Sequence, residues 1–166
     1  MADSVIEKVF DGAMAGFGAT VPMTIAMELM HRTLPSHEQY PLPPRQITMR
    51  AADGAGVKHH LNESDRLGAT LASHFGYGAV TGAVYAAKAD KINISPVVKG
   101  IGFGLTVWAV SYLGILPAVG ALSPATKHPA RRNALMIAAH IVWGGALGAL
   151  TETFKKEGHD GRRKSS

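Results

Sequence analysis

Four stretches of this chain carry no formal charge: Gly12 to Met27, Leu67 to Ala87, Gly100 to Thr126 and Asn133 to Thr151, of 16, 21, 27 and 19 residues. A helix crossing a hydrocarbon core of roughly 30 Å needs about 20 predominantly apolar residues. Two of the runs exceed that length and a third meets it. The first is cut short by Glu28, but Ala26, Met27, Leu29 and Met30 continue its apolar pattern. Fifteen of the 19 glycines fall inside these runs. In water, glycine costs a helix about 1 kcal/mol per position relative to alanine. In lipid, small residues let helix backbones approach one another and are common at interfaces. The expected fold is therefore all-α: a four-helix transmembrane bundle in a lipid bilayer, with helices near residues 10–31, 67–88, 97–119 and 133–153. Residues 1–166 form a single integral membrane domain, closed by a basic tail over 154–166.

The runs also echo one another. His74-Phe75-Gly76-Tyr77-Gly78-Ala79-Val80-Thr81-Gly82-Ala83 and His140-Ile141-Val142-Trp143-Gly144-Gly145-Ala146-Leu147-Gly148-Ala149 share His, an aromatic at +3, Gly at +4 and +8, and Ala at +9. Gly16-Phe17-Gly18-Ala19-Thr20-Val21 likewise matches Gly102-Phe103-Gly104-Leu105-Thr106-Val107. Both echoes keep the same order. This predicts two tandem two-helix hairpins, about 10–88 and 97–153, related by a pseudo-two-fold axis along the membrane normal, the parallel-repeat arrangement.

Each predicted helix holds a Gly-x-x-x-Gly pair: Gly12 and Gly16, Gly78 and Gly82, Gly100 and Gly104, Gly144 and Gly148. Residues four apart share one helix face, and two glycines there leave a groove that a neighbouring backbone can enter. The expectation is tight packing within the chain, with a homodimer face as the alternative use.

The candidate polar site centres on His74 and His140. Each lies seven residues inside its uncharged run, roughly 10 Å deep at about 1.5 Å per residue, and the +3 aromatics Tyr77 and Trp143 share the histidines' faces. Ionisable residues inside a membrane are a functional hypothesis by default. Two readings stand side by side. In the first, each imidazole is simply bonded to a neighbouring carbonyl or hydroxyl and fixes packing. Alternatively, the pair relays protons, binds a transition metal, or ligates haem iron. Glu28 and His31 form Glu-x-x-His at the end of helix 1, but the two matched motifs of a di-iron bundle are not present. Thr20 and Thr106 are repeat-equivalent hydroxyls near mid-membrane; threonine there commonly bonds back to its own helix.

The composition excludes several classes. With no cysteine there are no disulfides, thiolate metal sites or cysteine nucleophiles. No phosphate-cradling loop or nucleophile elbow appears, so no enzymatic activity is expected. The N-terminus, with Asp3 and Glu7 and no basic cluster, does not read as a cleavable signal peptide. The net charge of +5 comes from loops and from Lys155, Lys156, Arg162, Arg163 and Lys164 near the C-terminus. That pattern suits anionic lipid rather than nucleic acid. Basic residues divide almost evenly between the two sides, and the dense C-terminal cluster favours cytoplasmic termini. The 32–66 loop, with Pro35, Pro41, Pro43 and Pro44, predicts a stiff, extended path, with a short interfacial helix or turn near 51–57.

Pro41-Leu42-Pro43-Pro44-Arg45, the run from Gly104 to Pro117, and His140-Ile141-Val142-Trp143, together with His74, resemble the YagU-like family of small bacterial inner-membrane proteins over roughly residues 10–155. The chain departs from that pattern in a shorter first loop and a higher glycine content. The resemblance implies a multi-pass protein of the bacterial inner membrane without established enzymatic activity, and it transfers no catalytic residue. The function expected is non-enzymatic and without a cofactor: an accessory subunit of a larger membrane complex, or small-solute or proton handling at the bundle axis. A metal- or haem-binding protein using His74 and His140 is the alternative.

Overall fold

A computed structural model describes residues 5–89 and 93–164, with side chains described as far as residue 158. Asp3 and the side chains of Arg162, Arg163 and Lys164 lie outside the described residues. All regular structure among the described residues is helical. The long elements are α1 (Val5–Arg32), α2 (Pro43–Gly54), α3 (Glu63–Ala89), α4 (Pro96–Ala109) and α5 (Ala130–Lys164). A π-helical turn, Val110–Ile115, and a last helical piece, Leu116–Ala118, extend α4. Three helical stretches are long and apolar enough to cross a membrane: Val5–Arg32, Pro96–Ala118 and Ala130–Gly158. α3 is as long as α1 to within a residue, but it carries Ser73, His74, Tyr77 and Thr81 and is less apolar.

Local chemistry sets the helix ends. Asn62 Oδ1 accepts a hydrogen bond from the Asp65 amide at 3.0 Å, and Asp65 Oδ2 accepts one from the Asn62 amide at 3.1 Å. This reciprocal cap satisfies amides that an α-helix leaves without partners at its start, so α3 begins at Glu63, four residues earlier than the charge pattern alone implies. The 32–66 loop differs from expectation. Pro43 and Pro44 do not extend the chain; they occupy the first turn of α2, where a fixed φ and a missing N–H cost nothing. α5 likewise runs past the expected end near 153, through the basic segment to Lys164.

Glycine decides how the helices pair. α1 lies against α3, α4 against α5, and α1 also against α5. A Cβ placed on Gly16 would strike the Gly78 carbonyl, and one on Gly82 the Gly12 carbonyl. In the other pair, a Cβ on Gly100 would strike the Gly144 carbonyl, and one on Gly148 the Pro96 carbonyl. These contacts are backbone on backbone, so no rotamer change could relieve an added methyl. They also set a register. Gly16 faces Gly78 as Gly100 faces Gly144, and Gly100 stands 84 positions after Gly16. The Gly-Phe-Gly echo, at 86, runs two residues out of step with the packing.

Gly16→Ala and Gly100→Ala are each expected to destabilise the protein by at least ~1–3 kcal/mol, the usual cost of overpacking. Gly76 and Gly102, which meet nothing within 4 Å, should accept alanine with no loss and up to about 1 kcal/mol of gain. Thermal unfolding of the four variants in lipid nanodiscs separates the two classes.

Candidate functional site

The two helix pairs meet unevenly. α1 packs along α5, and Trp143 Nε1 donates across that seam to the Gly16 carbonyl at 3.3 Å. The opposite seam, between α3 and α4, is closed at one end, where the Tyr85 hydroxyl donates to the Pro96 carbonyl at 3.3 Å and its ring packs on Phe103 at 5.3 Å between centroids, and is sparse in contacts beyond it. A cavity of about 320 Å³ occupies the space left there, with walls from α1 to α5. Its wall is mainly apolar, and no Asp, Glu, Lys or Arg lines it.

Five of the eight polar residues expected in the site line this one cavity: His74, His140, Tyr77, Trp143 and Thr20. Their states differ. His140 is buried, with its ring edge-on to Tyr112 at 5.8 Å between centroids. Its Nδ1 donates to the Met136 carbonyl one turn back, at 2.7 Å. Because a carbonyl can only accept, this bond fixes the tautomer and leaves Nε2 of the neutral ring as an acceptor. His74 Nε2 is buried and has no hydrogen-bond partner. The two imidazoles therefore share a cavity without bonding each other. Tyr77 and Trp143, matched in sequence, diverge: Trp143 is 3% exposed inside the closed seam, whereas Tyr77 is 51% exposed and spans the open one through its hydroxyl, 3.0 Å from Ser111 Oγ. Thr20 bonds back to the Gly16 carbonyl at 2.8 Å, as threonine in apolar helices is expected to do.

The other three candidates lie elsewhere. Thr106 bonds back to the Gly102 carbonyl at 2.9 Å on an exposed face. Glu28 pairs with Arg32 one turn on, at 3.1 Å. His31 Nε2 lies 3.2 Å from the Tyr40 carbonyl. Among the described residues no group of three or more His, Asp or Glu could hold a metal ion. At roughly 30 Å³ per water, the cavity has room for about ten water-sized groups.

Ser111 and Tyr112 were not expected in the site. Both are buried cavity-lining residues of the π-helical turn. Pro117 supplies the physical reason for the wide turn: it has no N–H for the Leu113 carbonyl, and its ring crowds that carbonyl. π-Turns within helices recur at functional sites. Pro117 was the available sequence signal, although it does not specify which residues the turn would bring inward.

Arg132 is a third unexpected residue. Its guanidinium is buried and sits 3.6 Å from the centroid of the Tyr40 ring, a cation–π arrangement. It donates to the carbonyls of Glu38 at 2.7 Å, Tyr40 at 2.9 Å and Pro41 at 3.1 Å. The Tyr40 hydroxyl lies 2.8 Å from His128 Nδ1. These contacts hold the loop immediately before α2. α2 in turn places Pro44, Ile47 and Thr48 on the cavity wall, where the Thr48 hydroxyl lies 2.6 Å from Ser73 Oγ. At the helix surface, Arg45 reaches Glu63 at 2.8 Å and holds that carboxyl below the usual carboxylate range.

Residues 35–148 match the family described as "Protein of unknown function (DUF1440)". The chain belongs to this family. The matched segment takes in α2, α3, α4 and most of the apolar part of α5; His74, Tyr77, Arg132, His140 and Trp143 fall inside it, and Thr20, Glu28 and His31 do not. No curated protein and no solved structure matches the chain.

Arg132→Met should remove three charge-assisted hydrogen bonds and the ring contact together, lowering stability by about 3 kcal/mol or more. Hydrogen exchange should accelerate first in α2, before the amides of α5. Uniform acceleration through the whole molecule would show that Arg132 does not position α2.

Proposed function

We propose that this DUF1440 protein is a non-enzymatic, multi-pass membrane protein that handles a small solute in the cavity between its two helix pairs. One observation carries the reading: five polar residues from helices far apart in sequence converge on one cavity among membrane-length helices. The cavity's size falls within the range of small-molecule sites, which are typically apolar with a few polar groups. The polar atoms present suit binding better than catalysis. Most hydroxyls on the cavity wall are bonded back to their own helices, and among the described residues lining it no hydroxyl is hydrogen-bonded to a histidine.

On this reading α3 is a fourth membrane-spanning helix, since its glycines face the middle of α1. The chain is then a pair of duplicated hairpins whose pseudo-two-fold symmetry is broken at the α3–α4 seam. Four spans place both termini on one side, and the basic tail favours the cytoplasm. The YagU-like motifs support a bacterial inner membrane. No resident cofactor is proposed.

Val107 also lines the cavity, and Val107→Trp would fill much of it. Extracted into polymer-bounded native membrane discs and analysed by native mass spectrometry, the wild-type protein is expected to carry a low-mass adduct. Val107→Trp should lose at least about tenfold of that adduct while keeping its unfolding temperature within a few degrees. An identical adduct in both proteins, or none in either, would refute the proposal.

A further inference from the structure

We infer that the cavity binds an uncharged, hydroxyl-headed lipid. The inference rests on the small-solute reading of the cavity and specifies the chemistry of the solute. Three observations select it.

The first is charge. With no Asp, Glu, Lys or Arg on the wall, an ionised ligand would lose its hydration without gaining a counter-charge, which is strongly unfavourable at membrane depth. The second is access. The cavity lies where α3 and α4 scarcely touch, so a molecule dissolved in hydrocarbon reaches it sideways. About 320 Å³ of space holds roughly ten methylene-sized groups, and a longer chain can trail between the helices into the bilayer.

The third is the hydrogen-bonding complement. The Tyr77 and Ser111 hydroxyls lie within bonding distance of each other, and the Trp143 N–H is bonded to Gly16. What remains facing the cavity is His140 Nε2, left as an acceptor by the Met136 bond, and the Tyr112 hydroxyl, which has no hydrogen-bond partner among the described residues; His74 Nε2, also without a partner, is covered. A ketone or ester can accept from Tyr112 but has no hydrogen for His140. A hydroxyl group serves both: it donates to His140 Nε2 and accepts from the Tyr112 hydroxyl. Leaving such buried groups without partners costs more than a typical hydrogen bond contributes, so the preference for the hydroxyl over plain hydrocarbon should be large.

Trp143 reports occupancy directly. The chain has two tryptophans, and Trp108 lies off the cavity wall. In a Trp108→Phe background, in phosphatidylcholine nanodiscs, Trp143 fluorescence is followed while ω-bromodecanol, bromodecane or ω-bromodecanoate is added; bromine quenches indole on contact. Bromodecanol is expected to quench saturably, with a half-point at least about tenfold lower in mole fraction than that of bromodecane. His140→Phe should abolish the difference. Should that variant not fold, Tyr112→Phe, which removes a hydroxyl without a hydrogen-bond partner on the cavity wall, reads the same loss. Equal quenching by bromodecane and bromodecanol overturns the hydroxyl assignment while leaving the cavity as a binding site. Tighter binding of the carboxylate overturns the uncharged assignment. Absence of saturable quenching by all three probes, with no adduct in the wild-type protein, removes both the lipid and the solute reading.

Discussion

Backbone-to-backbone contact through glycine is the constraint on which the rest of this structure depends. Gly16 on Gly78 and Gly100 on Gly144 bring two helix pairs closer than any side chain would permit. In lipid there is little hydrophobic gain from bringing one apolar helix to another, so close van der Waals contact must do most of the holding. Contacts of this kind are rigid and fix both the register and the separation of each pair.

Two stiff pairs then have to meet, and the side chains at the seams decide how. At the α1–α5 seam Trp143 lies buried and is bonded to the Gly16 carbonyl, closing that side. At the α3–α4 seam the residue in the matching sequence position is Tyr77, which reaches Ser111 only with its hydroxyl. One seam closes and the other stays open beyond its Tyr85 end, and the cavity is the difference between them. The π-turn ahead of Pro117 brings Ser111 and Tyr112 inward on the open side. Arg132 fixes the loop that carries α2 across the cavity wall. Both features serve the same site, the π-turn directly and Arg132 through the loop at residues 38–41.

Much of the helical organisation was legible in the sequence, because uncharged length and glycine content are local properties. The helix positions followed from them to within a few residues, except at the start of α1, at the end of α5, which continues through the basic segment to Lys164, and where capping by Asn62 and Asp65 and the prolines of α2 moved the ends. His74, His140, Tyr77, Trp143 and Thr20 could be singled out because polar and aromatic groups are conspicuous in apolar runs. Glu28, His31 and Thr106 were conspicuous for the same reason, yet they bond locally outside the cavity. Nothing in their neighbouring sequence separates the two groups. Arg132 was hidden for the opposite cause: next to Arg131, it looks like one more loop charge until the carbonyls of residues 38–41 are placed around it.

By itself the sequence determined where the long apolar helices lie, three of them long enough to cross a membrane. Charge-free length calls for a hydrocarbon environment, and glycines spaced one turn apart create faces for close contact. Only the tertiary structure decided which faces meet, that the Gly-Phe-Gly echo runs two residues out of step with the packing, and that one seam closes while its counterpart does not. Those outcomes depend on distances between residues many positions apart. They are set by where a single indole or guanidinium finds a carbonyl, which no local pattern along the chain encodes.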